Sequence, residues 1–151
     1  MSVYEAIDFI CDLVNPVMFF WSVFLIGKLS VSDRQSGVKF GLFLIWNLAA
    51  TYAIMYVDNR FSLFKSIGID YSTHTAFAIA VAAVLLVITS KVLLVAGILF
   101  SYGIAMLYQQ YHTVEDMLVT AAVVVPIYAI GFGLLRPSKE TEVKNAIKFA
   151  E

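Results

Sequence analysis

Charged residues are scarce in this sequence. Only 14% of its 151 residues are Asp, Glu, Lys or Arg, whereas 61% are hydrophobic. Ordinary soluble domains have about 25% charged and about 45–50% apolar residues. The composition therefore excludes a soluble globular domain and a disordered chain, and the net charge of −1 gives no reason to expect nucleic acid as a partner. A polytopic helical membrane protein remains, because long apolar runs recur along the chain.

Two further features are nearly or wholly missing. The chain has one cysteine, Cys11, which excludes an intrachain disulfide and a metal cluster held by cysteines. The first apolar run also lacks a basic leader, because Glu5, Asp8 and Asp12 accompany it without any Lys or Arg. A cleaved signal peptide needs a basic start and a small-residue cleavage site, so we expect this run to be a retained helix.

Five apolar runs separate the charged residues. They predict membrane-spanning helices over roughly residues 9–27, 40–57, 75–89, 92–108 and 117–135. Residues 136–151 are then a cytoplasmic tail, and residues 1–151 form a single transmembrane domain. A spanning helix needs about 20 apolar residues, with a range of about 17–25, so several runs are near the lower limit. The predicted fold class is an all-α, polytopic membrane bundle of about five helices.

The distribution of Lys and Arg predicts the orientation. With five spans, the 28–39 loop, the 90–91 turn and the tail share one side, which holds eight of the ten basic residues. The two on the other side are Arg60 and Lys65. Basic residues concentrate in cytoplasmic loops, so we expect the N-terminus outside and the C-terminus in the cytoplasm. No eukaryotic retention or lipidation signal is evident, which makes a prokaryotic inner membrane the expected location.

Few polar side chains occur inside the apolar runs. Asp, Glu, Lys and Arg are missing from the middle of every run, which argues against a proton pump or an ion-coupled transporter. Polar groups in hydrocarbon need partners, which predicts hydrogen bonds across helices for Asn15, Asn47, Thr51 and Thr120. Close helix packing is predicted at small residues, namely Ala78, Ala82, Ala83, Gly131 and Gly133.

The sequence has two histidines, and the predicted topology puts both on the outward side. His112 precedes Asp116 by four residues, a spacing at which a helical turn places two side chains on one face. A carboxylate there orients an imidazole and stabilises its positive form. His112 is thus a candidate nucleophile, and His74, at the start of the third span, is a candidate acid for a leaving oxygen.

Phosphate binding needs positive charge or hydrogen-bond donors. The outward basic residues, Arg60 and Lys65, lie in the loop before His74. Ser72 offers a hydroxyl, and the helix start at Thr73 offers backbone N–H groups at the positive end of a helix dipole. With seven acidic and two basic residues, the outward side carries a net charge of −5 and would not steer a soluble anion. A lipid that diffuses in the membrane plane needs no such steering.

Each candidate also has a structural interpretation. Thr113 and Asp116 fit a capping box at the start of the fifth helix, and Arg60 and Lys65 fit interfacial anchors. The histidines fit amphipathic anchors, or ligands of a haem or a metal ion completed by Asp116 or Glu115. The functional interpretation depends on convergence, because both histidines and both outward basic residues fall in two loops that face each other.

The motifs around the histidines resemble those of the type 2 phosphatidic acid phosphatase (PAP2) superfamily, which includes sphingomyelin-synthase-like phosphotransferases. The family's Pro-Ser-Gly-His corresponds to residues 71–74, Tyr-Ser-Thr-His, and its His-x-x-x-Asp corresponds to His112 and Asp116. The family's Ser-Arg pair is replaced by Ala105 and Met106, and its Lys-x6-Arg-Pro motif is absent. One N-terminal helix of the usual family core is also missing.

The resemblance covers roughly residues 58–135 and implies a lipid phosphatase or phosphotransferase at the outer membrane face. It implies that His112 forms a phosphohistidine, that Asp116 orients His112, and that His74 protonates the leaving alcohol. No metal and no cofactor are expected, and the expected partners are a membrane lipid phosphate and the bilayer. The alternative is a catalytically inactive, lipid-binding or scaffold protein with this fold, because the family's arginines are missing.

Overall fold

The computed structural model describes residues 2–135. Within them five α-helices follow one another: α1 (Val3–Ser32), α2 (Arg34–Phe61), α3 (Thr73–Ile88), α4 (Val92–Tyr108) and α5 (Val114–Leu135). A 3-10 helix, Lys65–Ile67, lies in the connection between α2 and α3. This part of the chain contains no strand, so the predicted all-α class is confirmed. The predicted tail, residues 136–151, lies outside the described residues.

Three helices in this region are long and apolar enough to cross a membrane. The candidate spans are Tyr4–Ser32, Arg34–Phe61 and Val114–Leu135, which belong to α1, α2 and α5. Helices α3 and α4 have 16 and 17 residues. At about 1.5 Å per residue they reach roughly 24–26 Å, short of the about 30 Å of a hydrocarbon core. A helical membrane protein is therefore supported, while the prediction of five spans stays a prediction for α3 and α4.

The predicted loop over residues 28–39 is wrong. Helices α1 and α2 are separated by Asp33 alone, so the segment is helical on both sides of that residue. The Asp33 carboxylate accepts hydrogen bonds from the backbone N–H groups of Gln35 and Ser36, which caps the start of α2. Charge marks where the apolar runs end, but a helix ends where its backbone groups find other partners, and these two positions differ here.

Helix α3 is the centre of the bundle. It contacts α1, α2, α4 and α5, and eight of its 16 residues are buried. Small side chains let neighbouring backbones approach closely, and four alanines of α3 are buried: Ala76, Ala78, Ala80 and Ala82. The close packing predicted at Ala78 and Ala82 is thus confirmed. Since α3 begins at Thr73, this central helix carries His74 in its first turn.

Three of the four polar residues predicted to bond across helices connect α2, α3 and α5. Asn47 of α2 donates to a backbone carbonyl of α3 at 3.1 Å. Thr51 of α2 shares a hydrogen bond with the Tyr128 hydroxyl of α5 at 2.6 Å. Thr120 of α5 accepts from the backbone N–H of Ser72, just before α3. These bonds confirm the prediction. They also hold the start of α3, which carries His74, against α5, which follows His112.

Gly131 of α5 packs directly against Trp46 of α2. A β-carbon at Gly131 would overlap the indole ring, whose Nε1 donates to the Ile127 carbonyl at 3.1 Å. Overpacking of this kind costs about 1–3 kcal/mol, so we expect Gly131→Ala to lower the free energy of unfolding by that amount. Thermal unfolding in detergent measures the change.

Gly133, two residues further along α5, supplies the matched control. A β-carbon there meets nothing within 4 Å, so the close packing predicted at Gly133 is wrong. Gly133→Ala should leave the unfolding temperature unchanged or raise it, since alanine favours helix more than glycine does. Equal unfolding temperatures for the two alanine variants would contradict the tight contact at Gly131.

Candidate active site

The fold brings the two histidines together. The ring centroids of His74 and His112 are 6.5 Å apart, and the ring planes are tilted by 53°. His74 belongs to the first turn of α3, and His112 lies in the connection between α4 and α5, just before α5 begins at Val114. Because α3 packs against both α4 and α5, residues distant in sequence become neighbours at this end of the bundle.

Asp116 lies near His112, but a helical turn does not join them. His112 precedes the helix, and its Nδ1 is 3.9 Å from Oδ2 of Asp116. That separation exceeds the range of a hydrogen bond, and it forms an ion pair only when His112 is protonated. The two Asp116 carboxylate oxygens instead accept from the backbone N–H groups of Asp70 and Thr113, each at 2.8 Å. Asp116 thus caps α5 and ties it to the segment that precedes α3.

The capping box allowed by the sequence is therefore present. In return, the Thr113 hydroxyl accepts from the Asp116 backbone N–H at 3.2 Å. Asp116→Asn keeps the shape but loses the charge and turns one acceptor into a donor. Hydrogen bonds to a charged group contribute about 1.5–3 kcal/mol, so we expect this variant to lower the free energy of unfolding by roughly 1–3 kcal/mol.

The neighbouring acid provides the control for that substitution. Glu115 is exposed on the same turn of α5, so Glu115→Gln removes the same charge without removing a cap. Chemical or thermal unfolding of both variants in detergent tests the role of Asp116. If Asp116→Asn is as stable as Glu115→Gln, the cap contributes nothing and the carboxylate has another role.

Burial, opposed by the Asp116 carboxylate, lowers the pKa of His112 below its ordinary value of 6.5, and His74 adds to the lowering. The His112 side chain is 16% exposed. In the native protein the neutral imidazole, which has a lone pair on one ring nitrogen, therefore predominates at pH 7. A neutral imidazole is the form that acts as a nucleophile.

The lowered pKa predicts a pH dependence with a definite sign. As the pH falls, the unfolded chain binds a proton at His112 near pH 6.5, before the native protein does. Stability linked to His112 is therefore full above pH 6.5 and is lost as the pH falls through the native pKa. We expect an NMR titration of the histidines to give a midpoint for His112 below 6.5. A midpoint above this value would contradict the burial of the ring.

His74 is held from two sides by residues that the sequence did not single out as functional. The Tyr102 hydroxyl of α4 is 3.3 Å from Nδ1 of His74 and 3.1 Å from Nδ2 of Asn15. Nδ2 of Asn15 also donates to the backbone carbonyl of His74 at 3.4 Å. On the other side, Tyr111 stacks on the His74 ring with centroids 5.9 Å apart and planes at 7°, while its hydroxyl donates to Asp8.

These contacts confirm that Asn15 bonds across helices, the fourth such prediction. Tyr102 lies in an apolar run, where tyrosine is counted as a hydrophobic residue. It is therefore not recognised as polar in the way that an amide or a small hydroxyl side chain is. The one available signal was a hydroxyl that needs a partner in hydrocarbon. Tyr111 is adjacent to His112 in sequence but stacks on His74, which no local pattern indicates.

Two of the predicted phosphate ligands lie at the start of α3. Ser72 is fully buried and caps the helix, because its hydroxyl accepts from the Thr75 N–H and donates to the Thr75 hydroxyl at 2.8 Å. Thr73 lies beside His74 on the wall of a cleft. The N–H groups of Thr73 and His74 are in the first helical turn, where a helix offers them no acceptor of its own. Thr73, rather than Ser72, is thus placed to meet a ligand.

The two predicted basic ligands lie elsewhere. Arg60 and Lys65 are both exposed, and the Arg60 guanidinium is 5.9 Å from the centroid of the Phe61 ring. In residues 2–135 neither lines the cleft nor pairs with an acidic side chain. Among these groups, positive charge at the histidines therefore comes from the N-terminal end of the α3 helix dipole.

The cleft next to His74 has a volume of about 390 Å³ and is formed by α1, α2 and α3. This volume is within the range of roughly 300–1,000 Å³ that small-molecule sites occupy. Its polar lining residues include Asp12, Asn15, Thr73 and His74. Its aromatic lining residues include Phe19, Phe20 and Phe77.

The described residues do not include any group of three or more His, Cys, Asp and Glu side chains suited to a metal ion. The metal-ion interpretation of the histidines thus finds no third ligand there. No protein-family model matches the chain, and no curated protein or solved structure matches it either. The resemblance to the PAP2 superfamily therefore depends on the motifs alone.

Proposed function

We propose that this protein is a PAP2-like membrane enzyme that hydrolyses or transfers a lipid phosphate at the outer membrane face. The observation that carries the proposal is the pairing of His74 and His112, with ring centroids 6.5 Å apart, beside a cleft that His74 lines. A nucleophile must come within about 3–3.5 Å of phosphorus, and an acid within about 2.6–3.2 Å of the leaving oxygen. Two rings at this spacing suit both roles on one phosphoryl group.

In the proposed first step His112 is the nucleophile. Its Nδ1 faces Asp116, so Nε2 is the nitrogen that offers the lone pair. An N–P bond forms as the P–O bond to the leaving alcohol breaks, and protonated His74 gives its proton to that alcohol oxygen. In the second step water or another alcohol attacks phosphorus, its proton passes to His74, and the N–P bond breaks. Water gives hydrolysis, and an alcohol gives transfer.

The proposed phosphate contacts differ from the family's arginines. Thr73 supplies a hydroxyl and, with His74, the N–H groups of the first turn of α3, at the positive end of the helix dipole. Preorganised donors of this kind stabilise the charge of a phosphoryl transition state. Arg60 and Lys65 are not needed for this arrangement, which is consistent with their position away from the cleft.

The proposal includes the five-span topology. Helices α3 and α4 would cross a locally thinner membrane together with the longer helices that surround α3. Eight of the ten basic residues then lie on the side opposite to the histidines, which makes that side cytoplasmic. The substrate would reach the site from the outer leaflet.

The test is turnover by the purified protein in detergent, with a metal chelator present throughout. The substrates are lipid monophosphates, lipid diphosphates and zwitterionic lipid phosphodiesters, each assayed for phosphate release and for head-group exchange with a second lipid. We expect turnover of at least one class. Absence of turnover in both assays, for all three classes, would overturn the proposal.

A second candidate function is lipid binding without catalysis. It is favoured by the engagement of Asp116 as a cap and by the position of Arg60 and Lys65 outside the cleft. It predicts that lipids bind and that neither turnover assay detects a product. It also predicts that His112→Ala leaves lipid binding unchanged. Turnover that depends on His112 would reject it.

A further inference from the structure

The cleft beside His74 changes in polarity along its length. Asp12 and Asn15 on α1 face it near the start of α3, and Phe19 and Phe20 face it further along α1. Because a helix rises about 1.5 Å per residue, the wall from Asp12 to Phe20 is about 12 Å long. The cleft therefore has one end suited to a head group and another suited to hydrocarbon.

The rim of this cleft is open to the surface of the bundle. Phe20 is 68% exposed and Tyr52 of α2 is 47% exposed, although both line it. Deeper in, Phe19 and Phe77 pack with ring centroids 6.2 Å apart, which closes the cleft between α1 and α3. A chain lying in the membrane can enter such a cleft sideways.

We propose that this cleft binds one alkyl chain of a lipid whose phosphate lies at Thr73 and His74. The inference deepens the proposed function and rests on it for the identity of the reacting group. A free phosphate does not fit the same observations, because it gains nothing from the aromatic wall and is repelled by Asp12. A lipid phosphate meets the same charge at Asp12, but its chain also packs against the aromatic wall, which a free phosphate cannot do.

Photo-crosslinking of the full chain in phosphatidylcholine nanodiscs tests the site. The probe is a long-chain alkyl phosphate with a diazirine in the middle of the chain, and adducts are mapped by peptide mass spectrometry. We expect adducts within residues 11–20 and 73–77 that are lost when unlabelled alkyl phosphate is added in excess. Adducts at exposed residues of α5, such as Leu118 and Ile130, should persist and report non-specific contact.

A pair of tryptophan substitutions sharpens the test. Phe77→Trp narrows the cleft and should reduce the competable adducts, that is, those lost when unlabelled alkyl phosphate is added in excess. Phe132→Trp alters a different groove, between α2, α3 and α5, and should leave these adducts unchanged. Competable adducts elsewhere, or none at all in the wild-type protein, would overturn the chain site. Crosslinking needs no turnover and should persist in His112→Ala. Specific adducts without turnover would support the chain site and reject the proposed enzymatic function. Turnover with adducts elsewhere would support the enzymatic function and reject the chain site.

A separate observation concerns the hydrogen bonds of His74. The Asn15 amide nitrogen can only donate, and it donates to both the Tyr102 hydroxyl and the His74 carbonyl. The carbonyl can only accept, which fixes the orientation of the amide. The Tyr102 oxygen thus accepts from Asn15 and keeps its own hydrogen for Nδ1 of His74 at 3.3 Å. In neutral His74 the ring proton must then be on Nε2.

We infer that Tyr102 is a positioning residue that sets the tautomer of His74. The test is ¹⁵N NMR of protein labelled at histidine, which is clear because the chain has two histidines. Tyr102→Phe should shift the His74 ring nitrogens towards a mixture of tautomers and leave those of His112 unchanged. Tyr108→Phe, an exposed tyrosine on the same helix, is the control and should change neither. Unchanged His74 resonances in Tyr102→Phe would overturn the inference.

Discussion

Replacement of His112 by alanine is expected to abolish turnover of the lipid phosphate. Without the imidazole no N–P bond forms, and loss of a covalent nucleophile typically costs about 10³-fold or more in kcat. The fold should tolerate the change, because the helix-capping bonds next to His112 are made by Thr113 and Asp116. Phosphate release and head-group exchange, measured with the best lipid of the panel, give the result.

The control for that experiment is Val114→Ala. Val114 is 47% exposed and lies two residues from His112, at the start of α5. It should retain turnover, which shows that a change in this connection is not harmful in itself. A radioactive lipid phosphate should also leave an acid-labile label on wild-type protein and none on His112→Ala. Turnover by His112→Ala at the wild-type rate would exclude a phosphohistidine.

Replacement of His74 by glutamine is expected to slow turnover of a natural lipid substrate by about 10²–10⁴-fold, the usual contribution of a general acid. Glutamine keeps a polar side chain but cannot give a proton to the leaving alkoxide. A nitrophenyl leaving group needs no such proton. In the first turnover of a lipid nitrophenyl phosphodiester, before His74 is needed as a base, the same variant should therefore release nitrophenol much closer to the wild-type rate.

The comparison of the two substrates separates an acid from a structural residue. A general misfolding of the site would slow both substrates equally, and so would loss of phosphate binding. Tyr108→Phe, on the exposed face of α4, should leave both rates unchanged. Equal losses on the two substrates in His74→Gln would contradict the role of His74 as the acid.

Much of the fold was predictable because the responsible forces are local. The apolar run over residues 92–108 forms one helix, α4, since an uninterrupted apolar run satisfies its backbone hydrogen bonds within one helix. Asn47 and Thr51 were predicted to bond across helices for the same reason, since hydrocarbon offers no other partner. The end of α1 was placed too early, because charge at residues 28–39 reports the membrane boundary rather than the end of a helix.

The candidate site was less predictable, because two different groups can occupy the same carboxylate of Asp116. The spacing of His112 and Asp116 suggested both an oriented imidazole and a capping box, and it did not decide between them. In the structure the backbone N–H groups of Asp70 and Thr113 hold the carboxylate, and His112 stays 3.9 Å away. The Asp70 contact depends on how α5 packs against the start of α3, which lies outside any local motif.

By itself the sequence determined an all-α chain whose helices include some long and apolar enough to cross a membrane, with polar residues that join the helices and two histidines next to helix starts. Composition and the period of apolar runs suffice for this, because the membrane leaves the backbone few choices. Only the tertiary structure decided that His74 and His112 are neighbours, that Tyr102 and Tyr111 hold His74, and that Arg60 and Lys65 lie away from the cleft. Those distances follow from the contacts of α3 with its four neighbouring helices, and such contacts between distant segments leave no local pattern in the chain.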